Sequence, residues 1–174
     1  MFKVFCIMVS LLIVTSTIAA CGFELRGQAT LPFKSIYLQG GELSISKALR
    51  KNLKANDIRV LPTAENADVL VEFANEETVK KILSLSGGGV VKEYELFYRI
   101  HYRIRGFQDA VWGPEQTIET RRDFSYSDAE LLAKQGEEVA LYENMHSDVV
   151  NNLIRRLTHY KPAHTTKDDV NANP

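Results

Sequence analysis

The sequence predicts an α/β protein of the α+β sandwich kind. It has a four-stranded mixed sheet with two helices packed on one face, in the order β-α-β-β-β-α. Three observations lead there. First, Val90, Lys92, Tyr94, Leu96, Tyr98, Ile100, Tyr102 and Ile104 occupy alternate positions, all apolar or aromatic except Lys92. Between them stand Val91, Glu93, Glu95, Phe97, Arg99, His101, Arg103 and Arg105, so this is a strand with one buried and one wet face. Second, two other segments repeat their apolar residues every three and four positions, the helical spacing. Third, the first of these helices joins two short strands, and a crossover of that length makes the strands a parallel pair.

Taken in order, Ser35–Gln39 is a strand with Ile36 and Leu38 on one side, and Gly40-Gly41 is a turn. Ser44 caps a helix with Ile45, Ala48, Leu49 and Leu53 on one face and Arg50, Lys51 and Lys54 on the other, ending at Asn56-Asp57. The return strand is Asp68–Ala74, with Val69, Val71 and Phe73 alternating inward. Asn75-Glu76-Glu77 interrupts the pattern, and Thr78–Leu85 resumes it after a bulge or twist. Gly87-Gly88-Gly89 connects to the long strand, which at about 3.4 Å per residue spans roughly 50 Å. Its end must project past any ordinary helical cover or be covered by a partner.

Gly106 and Gly113-Pro114 bracket a loop, after which Thr117–Tyr126 returns. Ile118, Phe124 and Tyr126 share one of its faces, and Glu119, Arg121 and Asp123 share the other. Ser127-Asp128-Ala129-Glu130 reads as a capping box. The last helix then carries Leu131, Leu132, Val139, Tyr142, Met145, Val149, Val150, Leu153, Ile154 and Leu157 to about Thr158. Gly136 costs it about 1 kcal/mol relative to Ala and makes a soft start or a kink. Arg155 and Arg156 suit its C-terminal dipole. From Lys161 the chain is polar with two prolines, and 161–174 reads as a disordered tail.

Composition narrows the class. With 174 residues, 45% of them hydrophobic, the chain holds one domain and is short for two. Lys and Arg number 21 against 22 Asp and Glu, a net charge of -1, so no basic excess points to nucleic acid. The single long apolar run is N-terminal. Residues 1–20 have one Lys, the run Val4–Val14, then small residues, the layout of a secretory signal peptide. Ile18-Ala19-Ala20-Cys21 resembles the lipobox of bacterial lipoproteins. That resemblance implies cleavage before Cys21, an S-diacylglycerol on its thiol and an N-acyl chain on its amine, with no other cofactor. Each buried CH₂ adds about 0.8 kcal/mol, so several chains anchor durably. The alternative is a plain signal peptide followed by a chance Cys. Cys6 lies within the signal, so Cys21 would then be a lone thiol in an oxidising compartment, a liability. Gly22, in place of the Asp that retains such lipoproteins at the inner membrane, suggests release to the outer membrane.

Three features stand in sequence: Cys21-Gly22-Phe23-Glu24-Leu25-Arg26-Gly27; the β-α-β-β-β-α body; and a last helix containing Leu131-Leu132-Ala133-Lys134 and Leu153-Ile154-Arg155-Arg156-Leu157. Together they resemble the lipopolysaccharide-assembly lipoprotein family, LptE, across 21–160. The resemblance implies a lipid-anchored outer-membrane protein that faces the periplasm and the lumen of a lipopolysaccharide-exporting β-barrel, LptD. There it would sit as a plug, assist barrel assembly and deliver lipopolysaccharide to the outer leaflet. Basic residues tied to lipopolysaccharide binding in that family lie in the turn before the long strand and near the start of the last helix. Lys134 fits the second place. At the first, this chain has Gly87-Gly88-Gly89 with Lys92 close by. The competing classes are a periplasm-facing lipid-carrier lipoprotein, which would need an open apolar cavity, and a membrane-tethered hydrolase.

Other chemistry finds little footing in these residues. Arg99, Arg103 and Arg105 with His101 line one strand face, where Glu119, Arg121 and Asp123 are expected to neutralise them across strands. Phe97, alone on that face, hints at a partner contact there. His101, His146, His159 and His164 lack metal-ligand spacing. No nucleophile elbow, P-loop or paired-carboxylate pocket can be made out. The expectation is a protein that is not an enzyme.

Overall fold

The structure, a computed structural model, describes residues 31–160. Strand β1 (Ser35–Gln39) leads into helix α1 (Ser46–Ala55), whose apolar residues Leu49 and Leu53 are buried. The chain then forms a three-residue strand, β2 (Arg59–Leu61), before the long β3 (Val69–Leu85), β4 (Val91–Gly106) and β5 (Gln116–Ser125). A 3₁₀ turn, Asp128–Glu130, opens into helix α2 (Leu131–His159). The sheet order is β2-β1-β3-β4-β5. β1 is parallel to both β2 and β3, while β3, β4 and β5 form an antiparallel meander.

The architecture is the expected mixed sheet with two helices, enlarged by one strand to five. Arg59-Val60-Leu61 escaped notice because three residues carry no measurable period. Its strand character comes from pairing with β1, Ser35 to Tyr37 against Arg59 to Leu61. Asp57, at φ 59°, ends α1 by reversing the chain toward that pairing. The turn after β1 depends on Gly40. Its φ is +114°, and a Cβ there would stand 2.6 Å from the Phe73 carbonyl oxygen, so no other residue fits without a shift of β3.

One core joins the layers. Ile36, Val69, Val71, Tyr98, Ile100 and Tyr102 of the sheet pack with Leu49 and Leu53 of α1 and with Met145, Val149 and Leu153 of α2. Tyr98, Ile100, Tyr102, Leu53 and Leu153 are fully buried. At about 1.5–3 kcal/mol for each large apolar side chain, this cluster is the main force holding helices to sheet.

A bulge in β3 decides what the far half of the sheet presents. Phe73 pairs with Tyr102, but Asn75 pairs with His101, so Ala74 is skipped. Beyond it Glu76, Thr78, Lys80 and Ile82 lie opposite Ile100, Tyr98, Leu96 and Tyr94, and directly paired residues share a face. Odd residues face the helices before the bulge and even residues after it as far as Ile82, where a second skip, at Leu83, shifts the register again. β1 pairs β3 only from Val69 to Glu72, so the remainder of β3 is joined to β4 alone and the hairpin runs past the parallel part of the sheet. Its tip exposes Ile82, Leu83, Leu85 and Val90.

Both expected helix caps are replaced. Ser44 makes no side-chain cap: α1 begins at Ser46, whose N–H is spent on the Leu43 carbonyl (2.9 Å), and the Ser44 N–H donates to the Glu76 carboxylate (3.1 Å). At the second site the capping box needs the Glu130 N–H for the Ser127 hydroxyl. That N–H is already spent on the Ser127 backbone carbonyl (3.1 Å), which closes the 3₁₀ turn and delays α2 to Leu131. From there α2 runs 29 residues straight through Gly136. No helix among the described residues is long and apolar enough to cross a membrane.

Candidate functional site

The hairpin and the start of α2 meet at one end of the sheet. The Tyr126 N–H donates to the Lys92 carbonyl (2.8 Å), which carries the β4–β5 pairing to the level of Lys92 before the chain turns into α2. Lys134 and Lys92, the two lysines singled out in the sequence, therefore flank the same end of the β4–β5 pair. Their environments differ. Lys134 is largely covered, its side chain 14% exposed, and its Nζ donates to Ser125 Oγ (2.9 Å) and Glu137 Oε2 (2.8 Å) with the Phe124 ring 5.7 Å away. Lys92 is exposed and makes no ion pair among the described residues.

The structure adds a third lysine. Lys80 crosses from β3 to α2, its Nζ 2.6 Å from Glu138 Oε2 and 4.2 Å above the Tyr94 ring. It also lies 5.5 Å from Phe124, so Lys80 and Lys134 share that ring. Tyr94 stacks on Phe124 and meets Tyr126 edge-on. Aromatic faces bearing negative quadrupoles thus hold two ammonium groups beside two carboxylates. Lys80 could not be placed from sequence because its orientation depends on the skipped Ala74. The bulge expected near residues 75–77 was the available signal.

The opposite sheet face is a lattice of ion pairs. Arg99 bonds Glu119 and lies 3.4 Å from Glu77; Arg103 bonds Glu72; Arg121 lies 3.0 Å from Glu95. His101 sits between Glu77 (3.8 Å) and Glu115 (3.5 Å). Of the β5 residues expected to neutralise that row only Glu119 does so, on Arg99; Arg121 pairs with Glu95, and Asp123 and Arg105 make no ion pair among the described residues. β3 supplies Glu72 and Glu77 as well. Phe97 is not left open to a partner. It is 9% exposed, roofed by Lys81 at 5.0 Å and Arg99 at 5.2 Å. Cys21, the signal peptide and the 161–174 tail lie outside the described residues.

Glu76 ties the two halves of the helix-side face together. Its carboxylate accepts from the Ser44 N–H and, at 2.5 Å, from the Tyr98 hydroxyl. Burial, reinforced by Glu76, pushes the Tyr98 phenol far above its ordinary value and keeps it protonated. His146 of α2 packs edge-on against the same Tyr98 ring, centroids 4.5 Å apart.

The site is thus a braced hairpin with a charge-paired outer face, and lysines held on aromatic rings where it meets a long helix. The chain belongs to the LptE lipopolysaccharide-assembly family, whose profile matches residues 33–157. It is 23% identical over 144 residues to the LPS-assembly lipoprotein LptE of Photorhabdus laumondii, covering 80% of this chain and 78% of that one. Against the LPS-assembly lipoprotein LptE of Yersinia pestis (strain Pestoides F) the identity is 22% over 144 residues, covering 80% and 69%. Among solved structures, the fold is similar to uncharacterized lipoprotein B of Nitrosomonas europaea, with a TM-score of 0.69, 32% identity and 82% and 99% of the two chains covered. It is also similar to the rare lipoprotein B of Shewanella oneidensis, with a TM-score of 0.65, 20% identity and 72% and 95% covered.

Proposed function

We propose that this protein is the lipoprotein subunit of a lipopolysaccharide-exporting complex. It is anchored to the outer membrane through acylated Cys21 and seated as a plug in the lumen of the β-barrel LptD. There it assists barrel assembly and guides lipopolysaccharide to the outer leaflet. The observation that carries this reading, beside family membership, is the hairpin's outer face. A barrel lumen is polar and wet, and Arg99, Arg103, Arg121, Glu72, Glu77, Glu95 and Glu119 offer it interspersed, mutually neutralised charge. The β3 edge beyond Glu72, unpaired by β1, would risk edge-to-edge association in free solution and is protected by enclosure. Lys134, with Lys92 and Lys80 near it, is the phosphate-facing end, an ammonium binding phosphate as a point charge. The work is assembly and guidance, without covalent chemistry.

Affinity purification of the native lipoprotein from outer membranes tests this. The expected result is a β-barrel co-purifying at one-to-one ratio. A chain recovered without any barrel refutes the reading. For the anchor, Cys21→Ala is expected to leave the chain soluble or signal-retaining in cells lacking the barrel. Full recovery of that variant in the outer membrane of such cells refutes an acyl anchor as its sole attachment.

A further inference from the structure

The end of the sheet opposite the β3–β4 turn carries a loop that the proposed function leaves unused. β4 ends at Gly106 and β5 begins at Gln116. The connection exposes two large apolar side chains, Phe107 at 50% and Val111 at 76%. The loop is built rather than slack. The Gly106 N–H donates to the Asp109 carboxylate (2.9 Å), the Gly113 N–H to the Ile104 carbonyl (3.0 Å), and the Tyr160 hydroxyl to Asp109 (3.2 Å). Asp109 is thus turned onto the loop's own backbone while Phe107 and Val111 point outward, and Glu115, at the far end of the loop, lies 3.5 Å from His101.

Beside them lies Trp112, the only tryptophan of the chain. The Arg105 guanidinium stands 5.0 Å from its ring and that of Arg103 5.7 Å. Arg103 is neutralised by Glu72. Arg105 makes no ion pair among the described residues, and its buried Nε has no hydrogen-bond partner there. Apolar tips, an indole at their base and an unneutralised guanidinium match the layered chemistry of a bilayer surface: acyl carbons, then the interface where Trp concentrates, then phosphate.

Position selects the occupant. The Phe107 N–H donates to the Asp68 carbonyl (3.0 Å), and the Asp68 carboxylate accepts the Lys34 and Ser35 N–H groups. The loop is therefore fastened to the start of the described chain. Leu31 is ten residues from Cys21, a span of at most about 35 Å. We propose that the Phe107–Trp112 loop is a membrane-contact surface that seats in the phospholipid headgroup layer beside the anchor, with Arg105 meeting lipid phosphate. This inference rests on the reading of Cys21 as the anchor.

Because Trp112 is unique, its fluorescence reports on this loop alone. The mature chain is reconstituted into phosphatidylethanolamine/phosphatidylglycerol vesicles whose acyl chains are brominated near the carbonyls. Flotation and mass spectrometry read the anchor; bromine quenching of Trp112 reads the loop. The expected result is quenching in the floated chain, cut at least about twofold by Val111→Asp because a charge resists entry into the apolar layer. Arg105→Gln should lower it in zwitterionic vesicles, whose headgroups also carry the phosphate, and lower it further in anionic ones. A floated chain with unquenched Trp112 overturns the inference and leaves the anchor standing. If Cys21 proves unacylated, the anchor reading fails separately. The same chain is then held to a nickel-chelating lipid by a hexahistidine tag in place of Cys21, where quenching supports the loop's role and its absence overturns it. Trp112 emission that follows protein concentration instead of lipid assigns the loop to a second copy and also overturns it.

Discussion

Removing the acid beside Lys134 should tighten lipopolysaccharide binding. A lipid phosphate that reaches the Lys134 ammonium must first displace Glu137 Oε2, 2.8 Å away. Glu137 is 48% exposed, and an ion pair in that setting contributes about 0–1 kcal/mol. Relieving the competition in Glu137→Gln therefore raises affinity by at most about fivefold, since 1.4 kcal/mol is about tenfold. Lys134→Gln acts in the other direction. A hydrogen bond to a charged group is worth about 1.5–3 kcal/mol, so affinity should fall roughly tenfold to hundredfold. The Ser125 and Phe124 contacts hold the ammonium in place, so the loss reports charge and not a collapsed helix. The assay is lipopolysaccharide titration of the full mature chain at low and high salt, with circular dichroism to verify folding. Both effects should shrink at high salt through screening. Unchanged binding of Lys134→Gln at low salt refutes the contact. Weaker binding by Glu137→Gln refutes the competition and makes Glu137 a group that positions the lysine.

Four further outcomes follow from the core and its links. Leu153→Ala should cost about 2–5 kcal/mol in urea unfolding because Leu153 is fully buried between α2 and the sheet; a cost under about 0.5 kcal/mol contradicts that packing. Gly136→Ala should stabilise by about 1 kcal/mol, read as a higher Tm, since a Cβ there meets nothing. Glu76→Gln should cost about 1–3 kcal/mol, because it replaces charge-assisted acceptance from Tyr98 and Ser44 by a weaker, partly mismatched amide. Folding raises the Tyr98 phenol above its ordinary value, chiefly by burial. Its stabilisation is then complete below the unfolded phenol value of about 10 and is lost as pH climbs beyond it. The urea midpoint should fall steeply above that pH in the parent and less steeply in Tyr98→Phe; equal slopes contradict the assignment.

The residues alone determined the elements whose period is long enough to be read. β4 announced itself through Tyr94 to Ile104, and its even positions do face the helices. α1 and α2 were legible from Leu49, Leu53, Met145, Val149 and Leu153, and all five lie in the common core. The parallel pairing of β1 with β3 followed from the length of the crossover. Lys134 and Lys92 were legible only as basic residues near the ends of two elements. What surrounds each required the fold, because a lysine's neighbours come from other strands. β2 exists only through hydrogen bonds to β1, a long-range condition that three residues cannot encode. The caps failed because the N–H groups they needed, those of Glu130 and Ser46, each had a competing backbone acceptor, the carbonyls of Ser127 and Leu43. Most consequential is the bulge at Ala74, where a single skipped residue reversed the facing of β3 from Asn75 to Ile82. It placed Glu76 under Tyr98 and Lys80 over Tyr94. Composition and period fix which residues want burial, but register across strands decides which charged groups meet, and register belongs to the tertiary structure.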